Sequence, residues 1–408
     1  MKVLQINTVY GKGSTGKIAK EIHDACVKAN VECKTAYRYR EATTPAFEDT
    51  MVVSSWLDCH IHNRLSRYTL LQGCFSYVRT KSFIRKVKKY APDVIHLHNL
   101  HGSYINFKVL FSFLQEYHRP VVWTLHDCWS LTGYCPHYVM AKCDKWKNGC
   151  ISCSHYKPSI PLLPDTVSWL WTQKKALICG INNLTLVTPS KWLNDQVGMS
   201  YLKNCNTRVI THGIDLDVFK PTSSEFRKKY HIPPHKHILL GVAFGWNERK
   251  GLDVFLDLAK RLDHNEYQIV LVGTTPEVEK ILPENIISIN RTNNQTELSE
   301  IYSAADLFVN PTREEMFGLV NVEATACGTP VLTFRTGGCP ECIDELSGAI
   351  VDCDDIDAME KEIIRICTQK PFSKEHCMEN AKRFDLSDRF TEYVELYISL
   401  AENRNTML

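Results

Sequence analysis

Glu315 and Glu323 stand eight residues apart in the stretch Asn310 to Val331, NPTREEMFGLVNVEATACGTPV. Just ahead of it, the apolar run Leu307–Phe308–Val309 reads as the end of a buried strand. A polar loop with Pro311, Thr312 and the first glutamate follows. The pattern then predicts a helix that opens near Phe317–Gly318 and closes around Gly328–Thr329–Pro330, where glycine and proline stop it. The first amides of such a helix sit at the carboxyl end of a strand, where an open α/β sheet holds an anionic ligand. A phosphate beside two carboxylates that accept from hydroxyls is the chemistry of a sugar nucleotide.

Other residues could share that chemistry. Lys2 to Thr8 condenses into a buried-type strand, then Gly11-Lys12-Gly13-Ser14-Thr15-Gly16 leads to a helical pattern starting at Lys17. Strand, glycine loop and helix let a backbone approach a diphosphate closely, although a plain tight turn has the same composition. PDVIHLHN and RPVVWTLHD are two further strands, closed by His98–Asn99 and by His126–Asp127. Polar residues at such ends face the ligand crevice, which makes His126 a candidate.

Five cysteines fall between Cys128 and Cys153. Cys135, Cys143, Cys150 and Cys153 lie in the insertion after the strand and could close a tetrahedral zinc site that staples a long loop. With four thiolates and no open position the metal would be structural; the alternative is ordinary reduced thiols. Cys339-Pro-Glu-Cys342 has the spacing of a redox pair but lacks a thioredoxin-type setting.

The elements that position these residues follow from the rest of the chain. Strand patterns at Glu32–Arg38, Leu184–Ser190 and Thr207–Ile214 complete one β/α alternation. His237–Phe244, Tyr267–Gly273 and Ile286–Ile289 begin a second, with helices over Leu252–Leu262 and Leu298–Ala305. The expected class is α/β, two Rossmann-like doubly wound domains facing each other across a cleft. The expected division is 1–205, carrying the cysteine-rich insertion 128–155, and 206–387, with the terminal helix 388–408 packing back on the first domain.

A length of 408 residues allows two or three domains, and 44% hydrophobic residues are ample for their cores. Lys+Arg at 48 against Asp+Glu at 46 gives no electrostatic case for nucleic acid. No apolar run reaches the roughly 18 residues of a membrane span. MKVLQINTVYGKG reads as a strand entering a glycine loop and not as a secretion signal, so the expected location is the cytoplasm, with reduced cysteines. Cys59 to Pro92 carries eight Lys/Arg, no acid and interleaved aromatic and aliphatic residues. That composition fits a solvated helix face or a surface that lies on anionic headgroups at the inner face of the membrane.

Together these residues resemble the retaining family 4 glycosyltransferases, the "glycosyl transferases group 1", with the GT-B fold. The resemblance is densest over Ser303–Glu341, with Glu315, Glu323, Phe317-Gly318, Gly328-Thr329-Pro330 and Gly337-Gly338 in place. Thr188-Pro189-Ser190, His212-Gly213-Ile214-Asp215 and Lys250-Gly251-Leu252 match as well, and the cysteine-rich insertion is similar to a capsular and colanic-acid-type subgroup. The resemblance implies catalytic roles for His126, Lys250 and Glu315. Glu315 would hold the transferred sugar with the amides of Phe317, Gly318 and Leu319, and Glu323 would hold the ribose. Lys250 would meet the diphosphate, Gly13 and Ser14 would approach the donor, and His126 would stand by its sugar. One departure is that the family's Gly-Arg phrase reads Phe244-Gly245-Trp246 here; either Arg249, beside Lys250, supplies the second cation or the site works with one.

The resemblance further implies a nucleotide-diphosphate sugar donor, UDP- or GDP-linked, a saccharide or lipid-linked oligosaccharide acceptor, and no cofactor for catalysis. Alternatives are a nucleotide-sugar epimerase on the same fold and a non-catalytic sugar- or membrane-binding protein.

Overall fold

The computed structural model describes residues 1–40, 49–157, 159 and 165–405, the last three as backbone. It divides into two compact units, Met1–Ile210 with Phe390–Leu408, and Thr211–Arg389.

The first unit holds β1 (Lys2–Ile6), β2 (Glu32–Tyr37), β3 (Thr50–Val52), β4 (Val94–Leu97), β5 (Val121–Thr124), β6 (Leu184–Thr188) and β7 (Asn206–Val209). They form one sheet in the order β3-β2-β1-β4-β5-β6-β7, with every pairing parallel. Strands of a parallel sheet are covered on both faces, which is why VIHL, VVWT and LTLVT are buried throughout. The order reverses between β1 and β4.

The boundary differs from the expected 205/206. Asn206–Val209 pairs with β6 and so belongs to the first sheet. The glycine loop also differs: its helix starts at Gly13 and not at Lys17, and runs to Lys28. Gly11 and Gly13 take positive φ, and the turn closes where the Gly11 amide donates to the Gly16 carbonyl. A Cβ on Gly16 would lie 3.1 Å from Val9 Cγ2. Gly16 thus serves tight packing of the turn against the helix, whereas Gly11 and Gly13 supply its left-handed backbone. The terminal helix Leu386–Asn405 returns its later residues to this unit, where Tyr397 and Tyr393 meet His96 and Thr124.

The second unit holds β8 (His237–Val242), β9 (Tyr267–Val272), β10 (Ile286–Ile289), β11 (Leu307–Asn310), β12 (Val331–Phe334) and β13 (Gly348–Val351). The order is β10-β9-β8-β11-β12-β13, again parallel, with its reversal between β8 and β11. Alternate residues of these strands enter two cores. Leu240, Val270 and Phe308 belong to one; Leu239, Leu271 and Leu307 belong to the other.

Candidate active site

In an open α/β sheet the ligand crevice lies past the carboxyl ends of the strands at the point where strand order reverses. In the second unit that point is flanked by the connections leaving β8 and β11. The first carries a turn of 3-10 helix, Glu248–Lys250, capped by the Asn247 side chain, which accepts from the Lys250 amide. Gly251 ends it at φ 76, and a Cβ there would come within 2.3 Å of the Pro311 carbonyl oxygen. The second connection returns the contact: the Arg313 amide donates to the Arg249 carbonyl at 2.9 Å. The two connections are therefore fixed to one another by backbone.

This seam sets the central pair. Lys250 Nζ lies 2.6 Å from Glu315 Oε2, and both side chains are about a quarter exposed. The Met316 amide donates to Glu315 Oε1 at 3.2 Å. Burial pushes the Glu315 carboxyl up, but the charge and hydrogen bond of Lys250, the Met316 amide and the charge of Arg249 outweigh it and hold the group below its usual range. Glu315 is thus an anion gripped from two sides and a poor proton donor at neutral pH.

Backbone geometry behind the pair is equally constrained. Gly337 has φ 54, and a Cβ there would fall 1.7 Å from the Glu315 carbonyl oxygen. The Gly338 amide donates to that same oxygen at 3.2 Å. The helix after the loop runs from Leu319 to Ala326, with Gly318 at φ 105 as its N-cap. Its start agrees with the expectation to within two residues. Leu319 therefore opens the helix, Gly318 caps it, and Phe317 is a buried side chain packed edge-on to His212 and Phe384. Glu323 lies one turn further on, where its Oε2 accepts from the Tyr302 hydroxyl at 3.0 Å. His212, whose phrase stood out but which carried no role, is a site neighbour: burial lowers it to about 4, against the opposing charge of Glu315.

Arg249, Lys250, Glu315, Phe317, Gly318, Leu319 and Glu323 are thus brought to one strand-end crevice of the second unit. Gly13, Ser14 and His126 belong to the first unit, where Gly13 and Ser14 form the first turn of the helix after β1. His126 follows β5, and its Nε2 lies 3.0 Å from His98 Nδ1, which sequence reasoning noted only as a strand end. The other His98 nitrogen, Nε2, lies 3.0 Å from Gln5 Oε1. The neighbouring Asp127 pairs with His101 at 2.7 Å and accepts from the Trp129 amide at 2.8 Å. Burial raises that carboxyl, and His101 with the Trp129 amide more than compensates, leaving it below the usual range.

Cys135, Cys143, Cys150 and Cys153 line a single hollow, whereas Cys128 is buried outside it with its amide on the Pro136 carbonyl. Cys339 and Cys342 are fully buried, burial raises both thiols, and Cys342 Sγ donates to the Phe317 carbonyl. They are packing groups behind the loop that carries Glu315.

The sequence model "Glycosyltransferase Family 4" matches residues 19–218, and "Glycosyl transferases group 1" matches residues 222–384. The chain belongs to the group 1 glycosyltransferases. Its relatives in this family include an uncharacterized 41.2 kDa protein of the Klebsiella pneumoniae cps region, 27% identical over 78% of this chain and 81% of that one. Another is WcaC of Escherichia coli, assigned as a colanic acid biosynthesis glycosyl transferase, 22% identical over 87% and 88% of the two chains. Among solved structures, the sucrose-phosphate synthase of Thermosynechococcus elongatus superposes with a TM-score of 0.74 at 19% identity, covering 98% of each chain. Anabaena HepE in complex with UDP-glucose gives 0.67 at 15% identity, over 98% of this glycosyltransferase and 100% of HepE. The two doubly wound sheets are those of the GT-B fold.

Proposed function

We propose that this glycosyltransferase moves a sugar from a nucleoside diphosphate donor, UDP- or GDP-linked, to a lipid-linked saccharide acceptor, with retention of anomeric configuration, in the building of a surface polysaccharide. The observation that carries the reading is the Lys250–Glu315 pair at the β8/β11 reversal, beside the start of the helix Leu319–Ala326. The colanic acid assignment of WcaC supports the polysaccharide, and the UDP-glucose in HepE supports the donor class.

The chemistry follows from charge. Breaking the sugar–phosphate bond leaves an oxocarbenium-like sugar and a diphosphate with added negative charge. Lys250 has three N–H donors, so one can stay on Glu315 while the others turn to phosphate oxygens. Arg249 supplies a second cation, and the amides of Phe317, Gly318 and Leu319 add the positive end of a helix. Glu315 accepts from the hydroxyls of the transferred sugar, and Glu323, oriented by Tyr302, accepts from those of the ribose. His126 is assigned to the donor sugar by the family resemblance.

Membrane contact belongs to the same reading. The helix Trp56–Thr69 exposes Trp56, Leu57, Ile61, Leu65 and Tyr68, and the helix Tyr77–Tyr90 exposes Tyr77 and Val78. Ile61, Leu65, Tyr68, Tyr77 and Val78 sit among Arg64, Arg67, Arg79 and Lys81 in the segment without acids, and Trp56 and Leu57 lie on the far side of Asp58. An apolar ridge flanked by cations suits an anionic lipid surface. Among the described residues no helix is long and apolar enough to cross a membrane.

The deciding experiment incubates the chain with UDP- and GDP-sugars and with polyprenyl-linked saccharides, reading product linkage by NMR. Transfer with retained configuration is the expected result. Conversion of the donor with no acceptor present would make it an epimerase instead. Donor binding without turnover across the acceptor panel would overturn the transfer reading.

A further inference from the structure

The connection from Leu125 to Asp165 is packed like a core without the architecture of one. Its described residues contain a single helical turn, Lys145–Lys147, yet Trp129, Leu131 and Trp146 are almost wholly buried. Its backbone carries strain, with Lys142 at φ 46, Cys150 at φ 53 and Ser152 at φ 51. A left-handed non-glycine residue costs roughly 1–2 kcal/mol, so something must hold these in place.

The four cysteines that line the hollow are placed to do it. Cys150 and Cys153 have the two-residue spacing of a metal knuckle, with the left-handed Cys150 and Ser152 forming its turn. The Gly133 amide donates to Cys150 Sγ at 3.2 Å, a bond that strengthens when the sulfur is a thiolate. Beneath lies Lys174, fully buried, whose Nζ donates to the Trp129 carbonyl at 2.7 Å and the Thr132 carbonyl at 3.0 Å and sits 3.6 Å from the Trp129 ring centre. A buried ammonium held by carbonyls is expensive unless negative charge is close by.

We propose that Cys135, Cys143, Cys150 and Cys153 bind one structural zinc ion as a tetrahedral tetrathiolate, with Lys174 as the buried counter-charge. Among the described residues no group of three or more His, Cys, Asp or Glu is arranged in advance to hold a metal, so the loop closes onto the ion as the thiols turn inward. The step is redox-neutral: four thiols release four protons to solvent and four sulfurs bind Zn2+, leaving a net charge of −2 that Lys174 offsets in part. A closed four-sulfur shell has no site for water or substrate, so the ion braces the loop. Through Lys174, Trp129 and Asp127 it also steadies the strand end that carries His126.

The test is independent of transfer activity. The full chain is purified in reductant without chelators and its metal content is measured by plasma mass spectrometry. One zinc per chain is expected, released in step with four thiols on titration with a mercurial and detected by a chromogenic chelator. Cys150→Ser should lose most of the zinc, and Cys179→Ser, at an exposed position, should keep it. A chain with no zinc that takes none up on addition, a disulfide among the four cysteines in protein kept from air, or zinc that stays bound after those thiols are titrated would each overturn the proposal. The mercurial titration decides even if Cys150→Ser fails to fold.

Discussion

Lys250 Nζ and Glu315 Oε2, 2.6 Å apart, come from the connections after β8 and β11, which are tied to each other through the Arg313 amide on the Arg249 carbonyl. The pair therefore behaves as one unit. Glu315 is kept ionised by the lysine, and the lysine is kept at the strand-end crevice after β8. Gly337, which no other residue could replace without displacing the Glu315 carbonyl, holds the same loop from behind.

Glu315→Gln removes the anion but keeps the shape. Turnover should fall about 100- to 1000-fold, the usual cost of one preorganised electrostatic group, with the melting temperature little changed. Lys250→Met should be as slow and also less stable, because it leaves Glu315 half-buried without its cation. Joining Lys250→Met to Glu315→Gln should recover stability and not activity. Thermal melts and initial rates on the three variants check this, and additive losses in rate would mean that the two do not act as a unit.

The strands that form each sheet's centre were legible because buried parallel strands read as continuous apolar runs, as in Tyr267–Val272 and Leu307–Asn310. Thr50–Val52 escaped because it is three half-buried residues at a sheet edge, and Val331–Phe334 because its run directly follows a glycine-proline stop. Part of the candidate crevice was legible because Glu315, Phe317, Gly318, Leu319 and Glu323 lie in one phrase. The rest was hidden by sequence distance: Gln5 and His98 are 93 residues apart. Lys174 reads as a solvent residue, since its partners are backbone carbonyls that leave no side-chain signature.

A second prediction concerns His98. Gln5 Nε2 donates to the Ala19 carbonyl at 2.9 Å, so Gln5 Oε1 faces His98 and must accept its Nε2 proton. A neutral His98 then accepts through Nδ1 from His126 Nε2, which fixes His126 as the tautomer with a bare Nδ1. His98→Leu should lower kcat by about 10-fold or more with a small change in donor KM, within the range for a misplaced acid–base or polar group. Nitrogen-15 NMR of the His126 ring should show its tautomer no longer fixed. An unchanged spectrum would remove His98 from any positioning role.

On the proposed membrane face, the apolar ridge and its cations should contribute separately. Trp56→Ser with Leu57→Ser should weaken co-sedimentation with phosphatidylglycerol vesicles at any salt concentration. Reversal of Arg64, Arg67, Arg79 and Lys81 to glutamate should abolish it at low salt, since each cation near an anionic surface is worth about 1 kcal/mol. Binding that ignores both sets of changes would mean that this face does not meet the membrane.

Stability should fall with acid before the carboxylates titrate. Burial lowers His62 and His212 to about 4, against an ordinary value of 6.5, and also drives His96 well below that ordinary value. A group with a depressed folded pKa stays neutral in the native chain while the unfolded chain takes up its proton. Its contribution is complete above the unfolded value and is lost as pH drops toward the folded one. Each such histidine should then remove up to about 1.4 kcal/mol per pH unit between roughly 6.5 and 4. Asp127 and Glu315, both held below the usual range, add to the loss once pH falls through the carboxylate range. Melting temperature measured from pH 8 to pH 4.5 should be level down to about 6.5 and then decline, and His62→Gln should make the decline shallower. A melting temperature that stays level to pH 4.5 would mean that these rings are protonated at no cost in the native chain.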